Sequence, residues 1–221
     1  MEWMRRLAGP MAIAAAAAGA ILVVRRASLR WGATDDELRM TLAGDDLLPN
    51  PDLMATRGIS IAATPSEVWP WLAQLGQNRG GFYTYDWLEN LAGVEIHSVD
   101  VVVPELQIRS VGDDVNLAPE VVLSVVHLEE EHDLVLRGAV AVDGTGAGAP
   151  YDFTWAFVLQ PRTDGTTRLV VRERYAYLTD WAVVLVEPIE MVSFLMTERM
   201  LRGIRDRAER SPSSTNSRSP Q

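Results

Sequence analysis

Residues 151–177 read YDFTWAFVLQPRTDGTTRLVVRERYAY. In the first ten, Tyr151, Phe153, Trp155, Phe157 and Leu159 alternate with Asp152, Thr154, Ala156, Val158 and Gln160. Successive side chains of a strand point to opposite faces, so this spacing predicts a strand with one bulky apolar face. Pro161 to Thr166 turns the chain, and Arg168 to Tyr177 predicts the last strand. Upstream, Val121 to Leu128 and Leu134 to Val142 are two longer runs joined by an acidic turn at Glu129 to Asp133. Shorter strand candidates are Leu106 to Val111 and Val115 to Leu117, around Gly112-Asp113, and Arg57 to Ala63 alternates well enough for a first strand. Downstream, a long helix is expected from near Pro188 to about Glu209. Ile189, Val192, Met196, Met200 and Ile204 form its apolar stripe, with Glu198–Arg202 and Asp206–Arg210 as i,i+4 pairs on its wet side.

Between the first strand and the others, Thr64-Pro65-Ser66-Glu67 reads as a capping box with proline at its permitted place. Val68, Trp69, Trp71, Leu72 and Leu75 follow, Pro70 predicts a kink, and Gly76 ends the helix. A second short helix is expected over Tyr85 to Leu91, stopped by Gly93. Strands run together and helices are segregated, so the fold class is α+β. Such a sheet can curl around the long amphipathic helix and enclose an apolar space with it.

The chain of 221 residues is 48% hydrophobic and 23% charged, as in an ordinary folded protein. It has no cysteine, which excludes disulfide scaffolds, zinc–thiolate sites and thiol catalysis. All 20 basic residues are arginine, so lysine chemistry and Walker-type phosphate loops are absent. A net charge of −10 opposes nucleic-acid binding, which needs basic surface. No metal or cofactor is expected, because neither a His-Glu-x-x-His spacing nor a Gly-x-Gly-x-x-Gly fingerprint after a strand occurs.

Leu7 to Val24 carries no charge and spans roughly 27 Å as a helix, enough for a bilayer core. Residues 1–30 are therefore expected to be one N-terminal hydrophobic helix with arginine flanks, a single-pass anchor in the cell membrane. A cleaved signal peptide and a surface-lying helix are the alternative readings. Arg25, Arg26, Arg30 and Arg39 outnumber Arg5 and Arg6, which favours a cytoplasmic domain. Residues 31–56 are read as an irregular lead-in lying on the domain, 57–209 as the domain itself, and 210–221 as a disordered tail.

The layout of residues 55–209 resembles the helix-grip fold of the START, birch-pollen-allergen and polyketide-cyclase superfamily, often called SRPBCC. The resemblance is carried by Val68-Trp69-Pro70-Trp71-Leu72, Gly76-Gln77, Arg79-Gly80-Gly81-Phe82-Tyr83, Tyr85-Asp86-Trp87-Leu88-Glu89-Asn90, Val171-Arg172-Glu173-Arg174-Tyr175 and the stretch from Met200 to Ile204. It implies a curved antiparallel sheet around a long C-terminal helix and a cavity that binds something hydrophobic. It supplies no set of catalytic residues.

The candidate ligand-binding residues are Arg79, Tyr83, Tyr85, His97, Trp155, Glu173 and Tyr175. Arg79 stands beside Gly80-Gly81, where a loop can approach a ligand closely and a guanidinium can meet an anionic headgroup. The alternative is a structural corner, with Arg79 paired to Asp86 or Glu89. If the Leu169, Val171, Glu173, Tyr175 face points inward, Glu173 sits among apolar groups and must be paired or shifted in pKa. Arg79 and His97 are its candidate partners. If the strand is reversed, Arg172 and Arg174 point inward and Glu173 is solvated. His97 is the best general-base candidate, whereas His127 reads as an edge residue and His132 as solvated. Trp155, Tyr175 and Tyr177 offer apolar area with a hydrogen-bonding tip, and Met191, Met196 and Met200 suit an adaptable wall.

Three functions follow as expectations. The first is a membrane-tethered domain binding a hydrophobic or lipid-like small molecule, without catalysis. The second is a cyclase or dehydratase acting on a polyketide-like substrate through Glu173 or His97. The third is an interaction module whose cavity is packed shut.

Overall fold

The computed structural model describes residues 19–84, 97–118, 121–138 and 150–210. The expected short helix at 85–91, the glycine-rich loop before Pro150 and the segment 211–221 lie outside these residues.

Six strands form one antiparallel sheet: β1 (Leu53–Ile61), β2 (Asp114–Ala118), β3 (Val121–Glu129), β4 (Asp133–Gly138), β5 (Tyr151–Pro161) and β6 (Thr167–Tyr177). Their order is β1-β6-β5-β4-β3-β2, so five strands run as a meander and β1 adds beside β6. Register shifts between Asn116 and Ala118 and between Val125 and His127 mark irregularities of the kind that bend a sheet. The first strand begins four residues before the expected Arg57, because Leu53 already pairs with Tyr175.

Residues 19–28 are helical (α1), followed by α2 (Asp35–Arg39), α3 (Pro65–Leu72), a single 3-10 turn at Pro104–Leu106 and the long α4 (Ala182–Ala208). In α3 the Thr64 N–H donates to Glu67 Oε2 at 2.8 Å, and Val68, Trp69, Trp71 and Leu72 are buried. The expected strand at Leu106 to Val111 is absent. Asp113 Oδ2 accepts the N–H groups of Arg109 (2.8 Å) and Ser110 (3.3 Å), which closes a local turn in competition with a ladder.

The long helix starts at Ala182, not near Pro188. Pro188 is read from sequence as a start because it lacks an N–H, yet here it sits inside the helix and withholds a partner only from the Val184 carbonyl. Of the predicted stripe, Met200 and Ile204 are buried, whereas Ile189 and Val192 stay exposed. Glu198 and Arg202 form the expected ion pair, while Asp206 pairs with its neighbour Arg205 and not with Arg210. The architecture is α+β, a curved antiparallel sheet gripping a long C-terminal helix.

Both sheet edges are covered, as an unpaired edge invites association. Thr56 N–H donates to Leu29 O (2.8 Å) and Gly58 N–H to Trp31 O (3.1 Å) along β1, and Gln77 N–H donates to Asn116 O (2.8 Å) along β2. The outward face of β6 is covered as well. Arg168 bonds Glu37 and the Gly32 carbonyl, Arg172 bonds Asp45 and the carbonyls of Glu37 and Met40, and Arg174 bonds Asp45 and the Leu48 carbonyl. These arginines hold residues 32–49 flat against the sheet.

Among the described residues no helix is long and apolar enough to cross a membrane, which corrects the single-pass expectation and the localisation built on it. Residues 7–18, most of the expected anchor, lie outside the described residues. Arg25, read as a flank of the span, instead donates to both oxygens of Glu187 on α4, at 2.8 and 2.5 Å.

Candidate functional site

The alternation in β5 and β6 turns one face of each strand toward α4. Phe153, Trp155, Phe157, Leu169, Val171 and Tyr175 all join the apolar core. Strand pairing places Phe153 opposite Tyr175 and Trp155 opposite Glu173. The Phe153 and Tyr175 rings lie 4.6 Å apart, and Trp155 packs 4.8 Å from Phe157 and 6.3 Å from Phe82.

Along the middle of α4, from Ile189 to Met200, this core opens into a cavity of about 270 Å³. Its walls are Phe82, Tyr151, Phe153, Trp155 and Tyr175 on the aromatic side, Leu117, Val121 and Leu123 from β2 and β3, and Ile189, Val192, Met196 and Met200 from α4. The polar groups are Thr84, Glu173, Ser193 and Thr197. The exposed half of the α4 stripe is therefore cavity wall. Apolar walls with a few convergent polar groups are the usual makeup of a small-molecule site.

Glu173 is 1% exposed and does point inward. Its Oε1 accepts from Arg57 Nη1 (2.7 Å) and Thr197 Oγ1 (3.0 Å), and its Oε2 accepts from Ser193 Oγ (2.9 Å) and Tyr175 OH (3.3 Å). Arg57, also 1% exposed, donates from Nη2 to Glu190 Oε1 at 2.5 Å and from Nε to the Ser28 carbonyl at 3.1 Å. One guanidinium thus serves two buried carboxylates. Burial pushes the Glu190 carboxyl up; Arg57 opposes that and the nearby Glu173 adds to it. Burial also pushes the Tyr175 hydroxyl well up, and the adjacent Glu173 reinforces the effect. Trp155 lines the cavity, and its Nε1–H has no hydrogen-bond partner among the described residues.

Three of the predicted site residues, Trp155, Glu173 and Tyr175, meet in this cavity. Arg79 does not. Its Nε and Nη2 donate to the Asp114 carbonyl and its Nη1 to the Leu106 carbonyl, so it staples the loop after α3 to the β2 edge. Tyr83 is buried in a separate contact: its hydroxyl donates to the Trp71 carbonyl and accepts from Gln74 Nε2, and Arg207 lies 4.5 Å over its ring. Burial raises its hydroxyl pKa strongly. His97 is exposed and does not line the cavity, so neither it nor Arg79 partners Glu173. Tyr85, with Asp86 and Glu89, lies outside the described residues.

Sequence reasoning missed Arg57, Glu190, Ser193 and Thr197. A signal existed for the last three. Glu190, Ser193 and Thr197 follow one another at three- and four-residue spacing and so share a helix face. Arg57 offered none, since its partner is 116 residues away.

The chain matches no protein-family model and no curated protein. It is similar to several solved structures. Hypothetical protein jhp0584 from Helicobacter pylori is 11% identical, with 76% of this chain and 95% of that one covered and a TM-score of 0.48. Protein MLL2253 from Mesorhizobium loti is 13% identical, with 69% and 96% covered and a TM-score of 0.42. DynU16, described as a putative protein in the dynemicin biosynthetic locus, is 15% identical, with 69% and 47% covered and a TM-score of 0.40.

Proposed function

We propose that this protein binds an apolar small molecule, lipid-like in character, in the cavity between the sheet and α4. The observation that carries the reading is the cavity itself: about 270 Å³ of open space walled by five aromatic and seven aliphatic or methionine side chains, with four polar residues, three of which cluster at Glu173. A packed-shut interaction module has no use for such a space, since a void forfeits dispersion contacts on every wall. The SRPBCC resemblance points the same way, and membership of that superfamily is part of the proposal.

Binding is favoured over acid–base catalysis by the state of Glu173. It is the charged residue lining the cavity among those described, and its two oxygens already accept four hydrogen bonds. A carboxylate offers about four lone-pair sites, so proton abstraction by Glu173 would first require loss of a donor. His97 stands away from the cavity, which leaves the cyclase or dehydratase reading without a free base among the described residues.

The test uses N-phenyl-1-naphthylamine, an uncharged probe that fluoresces in apolar surroundings. Wild-type protein is expected to give saturable enhancement, and Met196→Trp, which fills the cavity from α4, is expected to abolish it while retaining the native circular dichroism. Equal enhancement by wild type and by folded Met196→Trp would overturn the reading.

A further inference from the structure

On the side of the sheet away from the cavity, the β3–β4 hairpin gathers side chains of a different chemistry. His127, Glu129 and Asp133 each offer one ligating atom, and these atoms lie within 4.8 Å of one another. Their convergence follows from the strand register. Glu129 stands directly opposite Asp133 and His127 opposite Val135, and cross-strand partners share a face. Leu134 and Leu136 belong to the core, so the alternating positions Asp133 and Val135 belong to the outer side, where Val135 packs against Gly44. His127 joins them because of the register shift after Val125. On a regular strand Val125 and His127, two residues apart, would share a face. The irregularity leaves Val125 opposite Leu136 in the core and turns His127 outward.

Two observations point to a cation. First, Glu129 and Asp133 set like charges directly opposite each other, which destabilises a ladder. Elsewhere on this side carboxylates meet arginine: Asp152 with Arg137, Glu37 with Arg168, and Asp45 with Arg172 and Arg174. Among the described residues neither Glu129 nor Asp133 has an arginine partner. Second, His127 Nε2 is enclosed without a hydrogen-bond partner and faces Asp133 Oδ2 at 3.9 Å. That is too long for a hydrogen bond. It suits two ligands on one ion: donors about 2.1 Å from a zinc ion stand ~3.4 Å apart at the tetrahedral angle and ~4.2 Å apart at most. A bare ion seated between imidazole and carboxylate reaches a nitrogen that a water-sized sphere does not.

We propose that His127, Glu129 and Asp133 bind a divalent transition-metal ion, Zn²⁺ being the best match, with water completing the coordination. One imidazole and two carboxylates suit zinc, whereas calcium and magnesium take oxygen ligands. The ion neutralises the two opposed acids and ties the turn end of the hairpin across both strands. The spacing rules that argue against a metal in the sequence are helical ones; here the ligands are a His-x-Glu pair on one strand and an acid across the turn. The site is independent of the cavity.

The experiment is a calorimetric Zn²⁺ titration of the whole chain, free of any tag and stripped with EDTA, in a non-chelating buffer. With no cysteine and three histidines in the chain, stray zinc sites are few. Wild type is expected to bind one Zn²⁺ saturably, to do so in about a hundredfold excess of Mg²⁺, and to melt at a higher temperature when loaded. His127→Ala is expected to weaken binding about tenfold or more, and Glu129→Gln, at an exposed side chain whose change leaves folding intact, to do the same. His97→Ala and His132→Ala are expected to leave the affinity within about twofold. Asp133→Asn is expected to raise the melting temperature of the metal-free protein, by removing one of the opposed charges, and to abolish the further rise with Zn²⁺. Wild-type affinity in both His127→Ala and Glu129→Gln overturns the proposal, and so does a wild type that takes up no Zn²⁺.

Discussion

Arg57 is shared between Glu173 and Glu190, and this leaves Glu190 the less compensated of the two acids. Its carboxyl is held above the usual glutamate value chiefly by burial. The folded protein therefore binds that proton more tightly than the unfolded chain does. Stability from this group is fully present below the unfolded glutamate pKa and is lost as the pH rises through the higher folded value. Glu190→Gln removes the titration and keeps the shape. Relative to wild type, the variant is expected to gain stability as the pH rises above the unfolded glutamate pKa, read from urea midpoints across the range. A variant that loses ground over the same interval would show that attraction to Arg57 outweighs burial. At this scale the sequence was partly legible. Alternation along β6 put Glu173 among apolar side chains on one face, which is where it lies. Its counter-ion was not legible, because no local pattern links positions so far apart in the chain.

At the scale of elements, α4 passes close against Tyr83 at Gly203. A methyl added there would stand 2.5 Å from the Tyr83 carbonyl oxygen and 2.6 Å from Tyr83 Cβ. Tyr83 is itself held at a positive φ of 58° and is buried, with Arg207 over its ring and its hydroxyl tied to the Trp71 carbonyl, so it has little room to yield. Gly203→Ala thus sets two effects against each other. Alanine favours a helix by about 1 kcal/mol over glycine, while overpacking costs about 1–3 kcal/mol and the contact here is severe. The expected outcome is net destabilisation of about 1–2 kcal/mol by urea denaturation; a more stable variant would mean that α4 can slide away from Tyr83. The strand alternation of β5 and the capping box of α3 were visible in sequence because each is a local rule obeyed by consecutive residues. The start of α4 was not, since Pro188 carries the same signature inside a helix as at its first turn. The strand expected before Gly112 failed for a different reason: one carboxylate, Asp113, claims the backbone N–H groups that a ladder would need.

For the whole molecule, the sheet is sandwiched. Its inner face meets α4 and the cavity, and its outer face meets the segment that sequence alone could describe only as irregular. The alternation of β6 puts Arg172 and Arg174 on the face opposite Glu173, with nothing local to say what covers them. They are buried here because the lead-in supplies carbonyls and Asp45 to receive them. Burial leaves Arg172 somewhat less basic than usual, with Asp45 opposing that shift. Asp45→Ala removes the carboxylate that bridges the two guanidinium groups and is expected to cost about 3 kcal/mol. The loss should register as faster amide exchange across residues 35–48, while N-phenyl-1-naphthylamine binding persists, because the opposite side of the sheet is untouched. Loss of probe binding in folded Asp45→Ala would mean that the two faces are coupled through β6.

The pairing of β1 with β6 has a consequence for how the chain is made. A ribosome releases β1 early, yet its neighbour, which carries Glu173, emerges more than a hundred residues later, and Glu190, the other carboxylate that meets Arg57, comes later still. The meander can zip up during translation, but the first strand must wait as an open ribbon until nearly the entire polypeptide has been synthesised. A prematurely terminated chain that stops short of β6 therefore exposes β1 as a ready template for misassembly, and quality control would meet it in that form.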